Sequence, residues 1–255
     1  MKLLEFQAIY VMWLRQMKRF YRAKSRIIAS IVQPLFFLFI LGSGFRVATF
    51  AGVEGDYLHF LTPGIITMAI MFSSMFTGVS VLWDKQFGFL QEVLVAPISR
   101  LSIIFGRTLG GATTALIQGF IIFFIALALG VQIPSVLGFI LTLIMMILVS
   151  FTAVGFGLIV ASKMNDFQGF QVIMNLIILP LFFLSSAFFP IGESLPQWLR
   201  GIAFVNPMFY MVDGMRGSFT GVNNLFHPLV DISIVLVICI FMMALGSYFF
   251  SKSEV

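Results

Sequence analysis

The chain has 255 residues, of which 60% are hydrophobic and only 10% charged, with a formal net charge of +5 and a mean hydropathy of +1.07. A water-soluble domain carries about 25% charged residues, so this composition excludes an ordinary soluble protein and points to a surface covered by lipid. Six spans of about 20 residues would use roughly half the chain.

Residues 4–21 read as an amphipathic helix. Phe6, Ile9, Trp13, Met17 and Phe20 recur at three- and four-residue steps, and Arg15, Lys18, Arg19 and Arg22 occupy the other side. That pattern suits a helix lying in the membrane interface, in contact with anionic lipid. The alternative is a simple basic leader. Span 1 follows over about 27–45, with Pro34 inside it, and span 2 over about 59–82. Spans 3 and 4 cover about 104–129 and 136–161, span 5 about 170–189, and span 6 about 229–250. Between spans 5 and 6, residues 190–227 are apolar but contain Arg200, Asp213, Arg216 and Pro207. A charge at mid-membrane costs about 2.5–3.5 kcal/mol, so two short helices, 196–204 and 207–219, dipping into the outer interface fit better than a seventh span. Asp213 and Arg216 are three apart and can pair on one helical face.

Twelve of the 15 Lys and Arg residues fall on the side of the termini, and only Arg46, Arg200 and Arg216 on the other. By the positive-inside rule both ends are cytoplasmic. The high pI, near 9.6, therefore reflects topology and not nucleic-acid binding. Cys239 is the only cysteine, and His59 and His227 show no metal-ligand spacing, so neither a disulfide nor a metal site is expected. The whole of 1–255 reads as one transmembrane domain.

Two blocks between spans carry specific information. In WDKQFGFLQEVLVAPISR, residues 83–100, Asp84 is a candidate N-cap, Phe87, Leu90 and Leu94 recur at helical spacing, and Pro97 ends the pattern. The result is a short cytosolic amphipathic helix. It would either lie on headgroups or meet a protein partner; Asp84 and Glu92 against Lys85 alone favour a protein. In GRTLGGATTALIQG, residues 106–119, the glycines imitate a phosphate loop, but Ala112 stands where that loop needs lysine. Gly106, Gly110 and Gly111 instead predict close helix packing. On span 5, Gln171 and Asn175, with Ser185 and Ser186 further along, form a polar face that either hydrogen-bonds neighbouring helices or lines a pathway. The longest stretch outside the spans is residues 190–227, too short for a nucleotide-binding domain of the usual 50 residues or more.

These blocks, together with FLTPGIITMAIMFSS (60–74) and NPMFYMVDGMRGSFTG (206–221), resemble the permease subunits of type 2 ABC exporters, the daunorubicin-type drug-efflux branch above all. The likeness covers nearly the whole chain. It implies a dimer of six-span subunits, formed with a second copy or a paralogue. Two cytosolic ATPase subunits holding ATP and Mg would dock beneath, with no catalytic residue in this chain. The family's coupling helix matches 84–97, so Asp84, Lys85, Phe87, Gly88, Phe89, Glu92 and Pro97 are the expected ATPase contacts. Its outer reentrant helices match 190–221. The substrate class implied is a hydrophobic or amphipathic drug, antibiotic or lipid; polysaccharide-exporting members are less similar. Two further classes fit the residues less well. A stand-alone ion-coupled transporter or channel is disfavoured because it needs an acidic or His residue in a span core, and Arg107, Asp231, His59 and Lys163 all fall toward span ends. A membrane scaffold gives the 83–100 block no role.

Overall fold

The computed structural model describes residues 2–45, 53, 56–88, 98–192 and 195–252, and among them every regular element is α-helical. In chain order these are α1 (Lys2–Arg22), α2 (Lys24–Gly44), α3 (Tyr57–Gln86), α4 (Arg100–Ala128), α5 (Val136–Lys163), α6 (Phe167–Phe183), α7 (Gln197–Val205), α8 (Pro207–Phe219) and α9 (Pro228–Lys252). Five of them, α2, α3, α4, α5 and α9, are long and apolar enough to cross a membrane, and α6 is a shorter apolar helix of 17 residues.

The helix starts are written in the sequence. Asp56 accepts from the Leu58 amide at 3.1 Å, Ser99 from Ser102 at 3.2 Å and Ser135 from Gly138 at 3.0 Å. Asp166 accepts from Gln168 and Gly169, and Asn206 from Met208, with Pro207 in the first helical position. Each short polar side chain satisfies a donor that the first turn leaves orphaned, and each marks a helix start within a few residues of its predicted place.

The central element is α3. Of its most apolar window 89% is buried, against 22% for α2 and for α9. It packs on α2, α4, α5, α6 and α8, whereas α2 and α9 leave Ile28, Val32, Phe36, Val237, Ile240 and Phe241 exposed for lipid or another chain. The α5–α9 pair crosses at two glycines: a Cβ on Gly155 would meet the Met242 backbone at 2.9 Å, and one on Gly246 would meet the Gly155 carbonyl at 2.9 Å. A side chain at either position would force the two backbones apart.

One boundary differs in a way that matters. Asp84 was expected to start a separate helix, but α3 runs on through Gln86 and carries Asp84 and Lys85 inside its last turn. Phe87 closes the helix and Gly88, at φ +73°, turns the chain away, a backbone conformation that glycine adopts without Cβ strain. The apolar spacing of α3 continues past Leu82 to Trp83 and Phe87, and nothing before Gly88 breaks it. Phe89, Glu92 and Pro97 lie outside the described residues, with Leu90 and Leu94.

Candidate functional site

Where α1 crosses the ends of α3 and α4, one carboxylate collects three guanidinium groups. Arg15 donates from Nη2 to Asp84 Oδ1 at 2.6 Å and from Nη1 to Oδ2 at 2.9 Å. Arg19 Nη2 reaches Oδ1 at 3.1 Å, and Arg107 Nη2 stands 2.6 Å from Oδ2. The side chains of Asp84 and Arg107 are 2% and 3% exposed, and those of Arg15 and Arg19 are 29% and 28% exposed. A buried ion pair repays its desolvation only when its geometry is good and its remaining lone pairs are used. Both Asp84 oxygens are used, by residues from three different helices counting its own. Arg19 also reaches the Ser80 carbonyl at 3.4 Å and lies 5.6 Å from the Trp83 ring centroid.

The rest of α1 is seated along α4 by the glycine face. A Cβ on Gly106 would meet Met12 Cβ at 2.6 Å and the Ile9 carbonyl at 2.7 Å, and one on Gly110 would meet Gln16 Cβ at 2.6 Å. Gly111 turns the other way, against Thr77 of α3. Trp13 donates to Thr113 Oγ1 at 3.1 Å, and Glu5 accepts from the hydroxyls of Ser99, at 2.5 Å, and Ser102. Those two hydroxyls, Ser102 foremost, hold the Glu5 carboxyl below the usual range. α1 is thus fixed at its start by Glu5, in its middle by the glycines and near its end by Asp84.

Of the residues expected to meet an ATPase, Phe87 is 81% exposed, Lys85 is half-buried and Gly88 ends the helix. Asp84 is correspondingly not a surface contact: its carboxylate faces inward. What the residue pattern concealed was the role of Arg15, Arg19 and Arg107. The first two read as headgroup contacts because they share a basic run. The available signal was an acid at the end of one span facing a basic residue at the start of the next.

A second feature is a groove of ≈ 710 Å³ between α2, α3 and α6, lined by Ser30, Gln33, Phe72, Trp83, Gln171 and Asn175 among others. Gln171 and Asn175 thus share one concave surface. Ser185 and Ser186 do not join them; both are buried beyond the end of α6, where Ser185 donates to the Phe182 carbonyl. Ser186, at φ +61°, turns its carbonyl and hydroxyl toward Arg216.

At this opposite end of the bundle, Asp213 and Arg216 approach only to 3.8 Å, so the expected pairing is loose. Arg216 donates instead to the Ser186 carbonyl at 2.7 Å, Ser186 Oγ at 3.1 Å and the Phe60 carbonyl at 3.3 Å, with its guanidinium carbon 3.9 Å from the Phe60 ring centroid. Asp213 accepts from the amides of Leu225, at 2.9 Å, and Phe226, at 2.9 Å. Near it, Asp231 in the first turn of α9 is wholly buried, and neither of its oxygens has a hydrogen-bond partner among the described residues.

Comparison with known proteins places this architecture. Residues 7–220 match the family model described as ABC-2 type transporter. The ycf38 protein of Porphyra purpurea, which carries a transport-permease name, is 30% identical over 246 residues, covering 91% of this chain and 83% of that one. The inner membrane transport permease YadH of Escherichia coli K12 is 28% identical over 241 residues, 91% of this chain and 90% of its own length. YbhR of the same organism, named as a multidrug ABC transporter permease, is 28% identical over 162 residues, 62% of this chain and 43% of its own. With an all-helical fold of five to six membrane-capable helices and a match across 7–220, the chain belongs to the ABC-2 type transporter family and is a type 2 ABC permease.

Proposed function

We propose that this permease exports a hydrophobic or amphipathic substrate and is driven by a separate ATP-binding subunit, whose movement enters through the connection between α3 and α4. The observation that carries the reading is the Asp84 cluster. It joins the end of α3, the first third of α4 and the C-terminal part of α1 at the base of that connection, so a push on residues 87–99 reaches three helices together. Phe87, exposed at the last turn of α3, is the nearest described residue to such a push, and Lys85, Gly88, Phe89, Glu92 and Pro97 complete the proposed contact.

In this reading ATP and Mg sit on two ATPase subunits, both termini face the cytoplasm of a cell membrane, and α7 and α8 are reentrant helices on the outer side. The polar groove between α2, α3 and α6 is the proposed route. It is supported by Gln171 and Asn175 on a helix whose Val172, Leu176 and Phe183 stay exposed, a face that fits a second permease copy or paralogue. Drug-like cargo is supported by the earlier resemblance and by the name of YbhR.

Reconstituted with its ATPase, a Phe87→Asp variant is expected to keep basal hydrolysis while transport falls about fivefold or more, the loss of one interface aromatic worth upward of about 1 kcal/mol. Unchanged transport in a Phe87→Asp/Glu92→Lys double variant would refute the assignment. One observation favours an ion-coupled reading: the buried Asp231, whose oxygens have no hydrogen-bond partner among the described residues, since such a group in a membrane protein commonly carries a proton. Asp231→Asn separates the two. Abolished transport with intact hydrolysis supports ion coupling; retained transport supports the ATP-driven reading.

A further inference from the structure

The Asp84 cluster is the end of a longer polar seam. On α3, Ser73, Thr77, Ser80 and Asp84 follow at steps of four, three and four, which puts them on one face of a helix. On α4, Arg107, Gly111, Thr114 and Gln118 repeat the same steps, and the helix runs back along α3 so that Arg107 meets Asp84 and Gly111 meets Thr77. The rows extend about 16 Å into the bundle at 1.5 Å per residue. All of these side chains are buried.

A seam of hydroxyls inside apolar helices is common when each bonds back to its own helix, and several here do. Ser80 Oγ donates to the Thr77 carbonyl at 2.8 Å, and Thr114 Oγ1 to the Gly111 carbonyl at 2.8 Å. Others do not. Among the described residues, Thr77 Oγ1, Thr108 Oγ1 and Gln118 Oε1 have no hydrogen-bond partner. An amide or hydroxyl left unpaired at such depth is costly. Thr77 and Gln118 both border a cavity that α1 closes with Gln16 and Arg19, its other walls being Ser73, Ser80 and Thr114 with Phe20 and Phe76. Its ≈ 30 Å³ exceeds the roughly 10–15 Å³ that one water needs, and its lining supplies more than the three or so polar partners such a water uses. Gln16 Nε2 spans it only weakly, reaching Ser80 Oγ at 3.4 Å.

We propose that this cavity is an internal hydration site, holding one or two waters on Gln118, Thr77, Ser80 and Gln16, and that it makes the α3–α4 contact a lubricated slip plane. Direct side-chain bonds across a helix pair fix one register. Waters re-form their bonds as the rows shift, so the stretch of Thr77, Ser80 and Gln118 can shift while its hydroxyls and amide stay paired. The seam opens toward solvent at Arg15 and Arg19, through which water enters. The functional half of this inference rests on the coupling reading; the hydration half stands without it.

The test uses the permease assembled with its ATPase in lipid nanodiscs. Radiolytic hydroxyl labelling in isotopic water reads Phe20 and Phe76, which line the cavity and are also partly exposed outside it. The readout is therefore the difference between wild type and variant. The expected result is labelling that falls in Thr77→Val/Gln118→Met while that of Phe124, exposed within the apolar span of α4, stays unchanged. Thr77→Ser is expected to restore the labelling. In the same particles the double variant is expected to lower transport per ATP by roughly two- to thirtyfold while hydrolysis persists. Equal labelling of Phe20 and Phe76 in wild type and double variant, or normal transport by a double variant whose labelling has fallen, overturns the proposal. If Phe87→Asp uncouples while the seam variant does not, only the slip plane falls; if neither uncouples, the coupling reading falls as well.

Discussion

The two ends of this bundle each bury an aspartate and an arginine, yet they hold them differently. At one end Asp84 is gripped directly by guanidinium groups from α1 and α4 at 2.6–3.1 Å. At the other, Asp213 and Arg216 stand 3.8 Å apart on one helix, and each is satisfied by someone else's backbone: Asp213 by the amides of Leu225 and Phe226, Arg216 by the carbonyls of Ser186 and Phe60. Backbone-satisfied charges are staples. They fix where a loop and the end of α6 sit against α8, and they do not rearrange unless the chain itself moves. A carboxylate shared by three side chains is different, because its partners belong to separate helices and can be exchanged while the carboxylate stays bonded. The first arrangement suits a part that transmits motion, the second a part that resists it.

A pair of double-mutant cycles breaks or sharpens that contrast. Removing Asp84 alone leaves buried Arg107 without its counter-charge, and losing one partner of a buried pair costs about 3–5 kcal/mol. Asp84→Asn is therefore expected to lower thermal stability in detergent markedly, with Asp84→Asn/Arg107→Met recovering much of the loss. That corresponds to a coupling energy of about 2–3 kcal/mol, the upper part of the range for contacting residues. The Asp213→Asn/Arg216→Met cycle is expected to give a smaller coupling, near the lower end of the roughly 0.5–3 kcal/mol seen for contacting residues, because each group keeps its backbone partners when the other is removed. Equal couplings at both ends would remove the distinction. Arg15 and Arg19, more than a quarter exposed, are expected to contribute about 1 kcal/mol or less each, as solvent-screened pairs do.

A smaller effect tests how α1 is seated. Gly110→Ala would place a methyl group 2.6 Å from Gln16 Cβ, and overpacking of this kind costs about 1–3 kcal/mol. The expected outcome is faster amide exchange in α1 with little change in α5 and α9, whose crossing lies elsewhere. Uniformly faster exchange across the bundle would mean that α1 is not a separately docked element.

The spans were readable because lipid imposes a long apolar run and a polar boundary on each of them, and caps such as Asp56, Ser135 and Asp166 mark the ends. The helix pair 197–205 and 207–219 was readable for the same reason: Asn206–Pro207 stops one helix and starts the next. The end of α3 was not. Asp84 looks like a cap in sequence, because an Asp that precedes apolar residues at helical spacing, here Phe87, Leu90 and Leu94, is a helix-start signal. It stays inside α3 because three arginines far away in sequence compensate its charge, and local spacing carries no trace of partners 23 to 69 residues distant. The glycine block told of close packing but not of the partner. Gly106 and Gly110 meet the amphipathic helix α1, which the residue pattern had laid on lipid. Ser185 and Ser186 share a helical face with Gln171 and Asn175 only if α6 continues to Phe189, and it ends at Phe183.

The account depends on energy arriving from outside this chain through the α3–α4 connection. Its most direct test is transport by proteoliposomes holding the purified permease with and without its ATP-binding partner, under an imposed proton gradient. The expected result is ATP-dependent transport in the paired preparation, reduced about fivefold or more when Phe87→Asp is introduced, and no gradient-driven transport by the permease alone. Sustained uphill movement of solute by the permease with a gradient and no nucleotide would contradict it.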